Sequence, residues 1–474
     1  MFLNQINIFF ILILLVKCNK SENNSIYRIP ISLYKSFEDN NEATLIQNIF
    51  FNFLYLNLSI GTPPQIIPFH LDINSQSFYV SKKFFNRTAS STYEQISKNE
   101  TLYSHENVIS GYDSKDILNI NGKKKTINFI FETKHDNNID IGCIGLLIPT
   151  KIKSNIFSFS ASLIKAKFIQ SFIWTFKFYD NKNILDILYN KDENNIIGEL
   201  IIGDYPHNYE ENKKLYDRKT YKQFKALWSD KEINWDINFN YIFLTFKDNQ
   251  TKLNKNSSKL YIMNENQAEL NPDIGFIVGP SNFYHYINIY FFQKYRSICN
   301  QYRMKNTLFR VIECQNTEFF NISSFPDVSF EIDDITFNLT YKDVFILDKN
   351  LNKYIFLILQ EGYIGNWVLG RLFLKKYQFI FNEHSKTLGY YKSMSPIRKE
   401  NMKDKIIGYF VSFCQIIFII FIIGYIIYEI LNNCMPKKRK KRRNELESEN
   451  VTNENLLKDK KDINYDNENN LEQN

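Results

Sequence analysis

The sequence predicts an all-β body followed by one C-terminal transmembrane helix. A strand–turn–strand pattern occupies residues 55–80. Stretches such as Trp174-Thr175-Phe176-Lys177-Phe178-Tyr179, and Trp235 with Ile237, Phe239 and Tyr241, alternate as strands do. The apolar run at 406–431 is long enough to span a bilayer despite Gln415 and Glu429. With 474 residues, 44% of them hydrophobic and 16% aromatic, the chain has the length for about two to three domains and the composition of a globular protein. Only 15 residues are glycine, well below the average usage of about 7%, so many turns fall to Asn and Asp. The formal charge of +7 is modest and much of it sits in one C-terminal cluster, which argues against nucleic acid as a partner.

From the N-terminus, residues 1–18 read as a secretory signal peptide: an apolar run from Ile6 to Val16, then Lys17-Cys18. The span at 406–431 would stop transfer. The basic run Lys437-Lys438-Arg439-Lys440-Lys441-Arg442-Arg443 that follows it favours the cytosolic side. The expectation is a single-pass protein of the secretory pathway or cell surface, with a lumenal or extracellular body and a cytosolic basic and disordered tail at 432–474. Of six cysteines, only Cys143, Cys299 and Cys314 belong to the body. In an oxidising lumen Cys299 and Cys314 are the natural pair, closing a loop worth about 3 kcal/mol in the entropic model. Cys143 is then a buried free thiol. Sequons such as Asn86-Arg87-Thr88, Asn321-Ile322-Ser323 and Asn338-Leu339-Thr340 permit glycosylation.

Within residues 55–80, Tyr55, Leu56, Leu58 and Ile60 are strand formers and Gly61-Thr62-Pro63-Pro64 is a turn. The second arm carries Asp72 to a loop tip, with Leu71 before it and Ile73, Asn74 and Ser75 after. This stretch resembles the N-terminal active-site hairpin of the pepsin-like aspartic peptidases, where Ile-Gly-Thr-Pro-Pro-Gln is followed by Asp-Thr-Gly-Ser; the acid loop matches at Asp72 and Ser75. Other segments resemble the family in the same order. Ile26-Tyr27-Arg28-Ile29-Pro30-Ile31 is similar to the start of a propeptide, and Ala89-Ser90-Ser91-Thr92-Tyr93 to the approach to the flap. Asp140-Ile141-Gly142-Cys143-Ile144-Gly145-Leu146 resembles a core segment, Cys314 through Ile332 a disulfide-to-strand segment, and Trp367-Val368-Leu369-Gly370-Arg371 the closing Ile-Leu-Gly-Asp strand. The resemblance implies a bilobal pepsin-like acid-protease fold: a propeptide-like segment at 19–50, an N-terminal lobe at 51–185 and a C-terminal lobe at 186–395. The stretch before the hairpin is short for the family, so the helical part of a prosegment is expected to be missing. An extra edge strand of the mature domain is the other reading of residues 26–31. The flap tip falls on Tyr103-Ser104-His105-Glu106-Asn107, with Ser104 at the family's tyrosine position and Tyr103 one residue early, hence on the opposite face of the strand.

An aspartic peptidase needs a second carboxylate from the other lobe, so that two acids share a proton and a water. The second loop is Gln267-Ala268-Glu269-Leu270-Asn271-Pro272-Asp273-Ile274-Gly275, and the catalytic position falls on Asn271. Asn holds a water but exchanges no proton. Asp273 is the alternative second acid, although strict strand register puts it roughly 6 to 7 Å beyond Asn271. No metal or other cofactor is expected. The resemblance therefore implies one of three things: a peptidase relative with lost or impaired proteolysis that binds an extended polypeptide in its interlobe groove, an endopeptidase with a rearranged Asp72/Asp273 dyad, or a structural or adhesive scaffold.

Overall fold

The computed structural model describes residues 25–34, 45–73, 75–103, 108–135, 141–147, 158–179, 196–227, 235–246, 259–262, 266–304, 307–361, 365–394, 422–429, 443–444 and 446. The chain divides into two units, Met1–Pro396 and Ile397–Asn474. In the second unit residues 422–429, inside the expected span, are helical and exposed. Among the described residues no helix is long and apolar enough to cross a membrane. The signal peptide, the rest of the span, most of the tail, Asn74, the flap tip from Ser104 to Asn107 and the stretch 180–195 lie outside the described residues.

The first unit is built mainly of strands. Its first part contains β1 (Tyr27–Tyr34), β2 (Phe53–Ile60), β3 (Gln65–Asp72), β4 (Phe78–Val80), β5 (Glu94–Tyr103), β6 (Val108–Ile120), β7 (Lys123–His135), β8 (Gly142–Gly145), β9 (Ile173–Phe178) and β10 (Ile196–Ile202). Then come β11 (Tyr221–Lys225), β12 (Asp236–Asn238), β13 (Tyr241–Thr245), β14 (Lys259–Tyr261), β15 (Gln267–Leu270), β16 (Ile277–Gly279), β17 (Cys299–Arg303) and β18 (Phe309–Gln315). The last are β19 (Asp327–Ile332), β20 (Ile335–Leu339), β21 (Phe345–Asp348), β22 (Lys353–Glu361), β23 (Trp367–Leu369), β24 (Ile380–Asn382) and β25 (Thr387–Tyr391). Among the described residues, one 13-stranded sheet runs β11-β25-β24-β9-β10-β1-β2-β3-β8-β4-β7-β6-β5, beside an 8-stranded sheet that holds β15, β16 and β23 and a 4-stranded sheet. Pairing of β2 with β6 closes β2, β3, β8, β4, β7 and β6 into a barrel, which removes exposed edges. The fold is all-β.

Local chemistry explains the hairpin. Strand β2 alternates between buried and less buried positions, and the turn after it needs Gly61 at φ +94°. Thr62 N donates to Ser90 Oγ at 3.0 Å. Ser90 and Thr92 in turn donate to the buried carboxylate of Asp116, so the segment Ala89–Tyr93 pins the turn to β6. In the flap hairpin Tyr103 pairs with Val108.

Two features, the place of β1 and a helix before the hairpin, differ from the sequence expectations. Strand β1 is not an edge: it pairs with β10 on one side and β2 on the other, in the middle of the large sheet. Strand β10 lies in that same sheet between β1 and β9, together with β11, β24 and β25 from later in the chain. The stretch before the hairpin does contain a helix, α1 (Leu45–Phe51). Seven residues give too short a period to stand out in sequence, and such a helix persists through packing rather than propensity. Leu45, Ile46 and Ile49 are buried against Phe276, Val278, Leu357 and Val368 of the second half. Cys299 and Cys314 form the disulfide, 15 residues apart, and Cys143 is a buried free thiol, both as the sequence leads one to expect.

The two halves share one core. Trp174 of β9 stacks on Phe381 of β24 with ring centroids 3.9 Å apart and meets Trp235 edge-on at 5.7 Å. Trp235 Nε1 donates 2.8 Å to the carbonyl of Leu146, beyond β8 in the first half. Replacing Trp174 by Ala is expected to cost about 3–5 kcal/mol of stability, because the neighbouring rings cannot refill the space; denaturant unfolding of the purified variant checks it.

Candidate functional site

Asp72 closes β3, and the parallel register of β3 with β8 sets Phe69 beside Gly142, His70 beside Cys143 and Asp72 beside Gly145. Strand alternation puts His70 and Asp72 on one face, and the register brings Cys143 to the same side. His70, Asp72 and Cys143 each offer a ligand-type atom within 4.8 Å of the others. The loop after Asp72 is held from below. Leu146 N donates to Asp72 O at 2.8 Å and Leu147 N to Ser75 O at 3.0 Å. A Cβ at Gly145 would collide with the carbonyl of Ser75, so only glycine lets β8 pass so close beneath the acid loop. Ser75 is buried; its hydroxyl accepts from Ser77 N and hydrogen-bonds Cys143. Burial pushes the Cys143 thiol well up, Asp72 and Asp273 push the same way, and Ser75 opposes them.

The second loop repeats the plan. Asn271 N donates to Leu369 O at 3.1 Å and Arg371 N to Ile274 O at 2.7 Å. Gly370 takes the part of Gly145, since a Cβ there would strike the carbonyls of Phe276 and Ile274. Asn271 is buried, and both ends of its carboxamide are engaged. Oδ1 accepts from Asp273 N at 3.0 Å, and Nδ2 donates to Glu269 at 2.9 Å. An aspartate at 271 could not make that second bond as a carboxylate, because two acceptors would then face each other.

Asp273 turns toward the first half. Its Oδ2 lies 2.9 Å from His70 Nε2, and its Oδ1 accepts from Leu54 N at 3.2 Å. Beneath it the buried guanidinium of Arg371 donates to Asp273 O at 2.8 Å, to Asn52 O at 2.9 Å and to Pro272 O at 3.4 Å. Burial lowers the pKa of Arg371 to about 10, with Asp273 opposing the fall. Gly275 lies where a Cβ would come within 2.8 Å of Ile49 O in α1, and Phe50 of α1 stacks on Phe276 at 5.4 Å. The segment 45–54 is thus seated against the second loop. Next to Glu269 across the strand pair stands Asp236. Burial raises Asp236 to about 6; the hydrogen bond from Gln267 opposes this and the charge of Glu269 adds to it.

Residues 250–392 match the family model described as eukaryotic aspartyl protease, a stretch that contains the second loop and the closing Gly370 strand. The match supports a relationship of this part of the chain to the pepsin-like aspartic peptidase family. No curated protein matches it. The structure brings Asp72, Ser75, Asn271, Asp273 and Gly275 into the two paired loops, while Tyr103 lies in the β5–β6 hairpin and Ser104 outside the described residues. Four residues around the loops were missed from sequence: His70, Cys143, Glu269 and Arg371. The first and third had a signal, since each stands two positions before the residue at a catalytic position and therefore shares its face. The Cys143 contact depends on β3 and β8 pairing across seventy residues, which no local pattern reveals.

Two outcomes follow. Arg371→Met should cost about 3–5 kcal/mol, because three carbonyls lose a buried donor, and chemical denaturation measures it. Asp236 has a raised folded-state pKa, so its contribution to stability is fully present below the ordinary carboxylate range and is lost as pH climbs through about 6. Asp236→Asn should therefore match the parent near pH 4 and exceed it by about 1–3 kcal/mol at pH 7, read from unfolding curves at both values.

Proposed function

We propose that this protein is a membrane-anchored pepsin-like protein whose endopeptidase activity is lost or impaired and whose interlobe groove binds an extended polypeptide. The observation that carries the reading is the state of the second loop. The residue at the catalytic position, Asn271, has its carboxamide tied to Glu269 and to Asp273 N. The alternative second acid, Asp273, is bonded to His70 and Leu54 N. A dyad works because one proton moves between two carboxylates. Asn271 has none to give, and the carboxylate of Asp273 is already engaged by His70 and Leu54 N. Loss of one general acid or base typically costs about 10² to 10⁴ in rate. The paired loops and flanking sheets keep the framework that receives an extended chain, main chain against strand edges and side chains in pockets.

The rival reading, an endopeptidase using Asp72 and Asp273, has one point in its favour: both acids act electrostatically on the Cys143 thiol, so they stand around the same small volume. Membrane attachment follows from the apolar runs at 1–18 and 406–431 and the basic cluster after the second. The test is incubation of the full chain with a diverse peptide pool between about pH 4 and 7, beside Asp72→Ala and Asp273→Ala. The expected result is peptide retention by the folded chain without turnover. Cleavage abolished by both substitutions would overturn the reading in favour of the rearranged dyad, and neither cleavage nor retention would leave the scaffold.

A further inference from the structure

We propose that His70, Asp72 and Cys143 form a zinc site, with Asp273 as the carboxylate behind the histidine. The three donors come from two strands locked in parallel register, and their ligand-type atoms lie within 4.8 Å of one another. Around tetrahedral zinc, with bonds of about 2.0–2.3 Å, donor atoms sit roughly 3.3–3.7 Å apart, so a contraction of about 1 Å closes the set.

The donor chemistry selects the metal. A thiolate with an imidazole and one carboxylate suits zinc and disfavours calcium or magnesium, which take oxygen ligands. Coordination takes Cys143 as the thiolate, its proton passing to solvent. A cation here would also offset the burial that pushes the Cys143 thiol well up and the charges of Asp72 and Asp273 that add to it.

The histidine is oriented for the task. Its Nε2 faces Asp273 at 2.9 Å, and the edge-to-face contact with Phe53, centroids 4.7 Å apart, holds the ring plane. A histidine whose one nitrogen donates to a carboxylate presents the other to a metal in the right tautomer, the usual outer-shell arrangement of zinc sites. In that tautomer Nδ1 would be the atom offered to the metal. The outer carboxylate comes from the second loop, so metal occupancy would depend on how the two loops meet. Three protein ligands leave a fourth position for water or a ligand group. Bound metal would also occupy the acid of the first loop, which goes beyond the peptide-binding reading and does not rest on it.

The experiment is titration of the purified full chain, solubilised in detergent, with Co²⁺ as a spectroscopic substitute and then Zn²⁺ in competition. The expected result is one equivalent of Co²⁺ giving a sulfur-to-cobalt charge-transfer band, erased by Zn²⁺, together with a rise in unfolding temperature. Cys143→Ser and His70→Ala should abolish the band, while Asp273→Asn should keep it with affinity weaker by about 10- to 100-fold. Circular dichroism shows whether each variant is folded. A folded parent chain with no thiolate band, or a band that survives Cys143→Ser, overturns the proposal. Peptide retention measured on the same metal-free and zinc-loaded samples reports on the groove separately.

Discussion

Arg371 is the cation on which the second loop rests. Buried under the loop, it donates to the carbonyls of Pro272 and Asp273 and, across the chain, to Asn52 at the end of the segment that holds α1. A guanidinium with several donors in a fixed plane can satisfy three carbonyls that point to one place, and a lysine could not do so with the same geometry. Its charge offsets that of Asp273 above it, so an acid that would otherwise be repelled by Asp72 can stand close to the first loop. Much of the rest follows: Asp273 meets His70, His70 is fixed beside Asp72, and the segment 45–54 is drawn against the second half.

The two loops are built alike but their chemistry diverges. In each a glycine, Gly145 or Gly370, lets a strand thread beneath the loop, and in each loop carbonyls accept from backbone amides of the threading segment. The residue two positions before the tip is a histidine in one case and a glutamate in the other. One loop presents a carboxylate beside an imidazole and a thiol. The other presents a carboxamide used as a strut. The symmetric framework survives because packing and backbone hydrogen bonds maintain it, whereas proton exchange requires particular atoms at two points only.

Much of the framework was legible because it rests on local rules. The turn at Gly61, the loop-tip position of Asp72, the Cys299–Cys314 pair and the strands around Trp174 follow from turn chemistry, cysteine placement and alternation. The short helix α1 escaped because its amphipathic face spans fewer than two turns, and the central place of β1 escaped because one of its neighbours, β10, is contributed by a distant stretch.

By itself the sequence determined the all-β character, the acid at the first loop tip and the carboxamide at the second, because residue identity and strand period need no partner to be read. Only the tertiary structure decided what those side chains do. Asp273 became a contact between the loops rather than a solvated acid, Arg371 became its support, and Cys143 came to lie beside His70, because such meetings are fixed by long-range strand register and by the burial of charge among groups that sequence spacing does not relate.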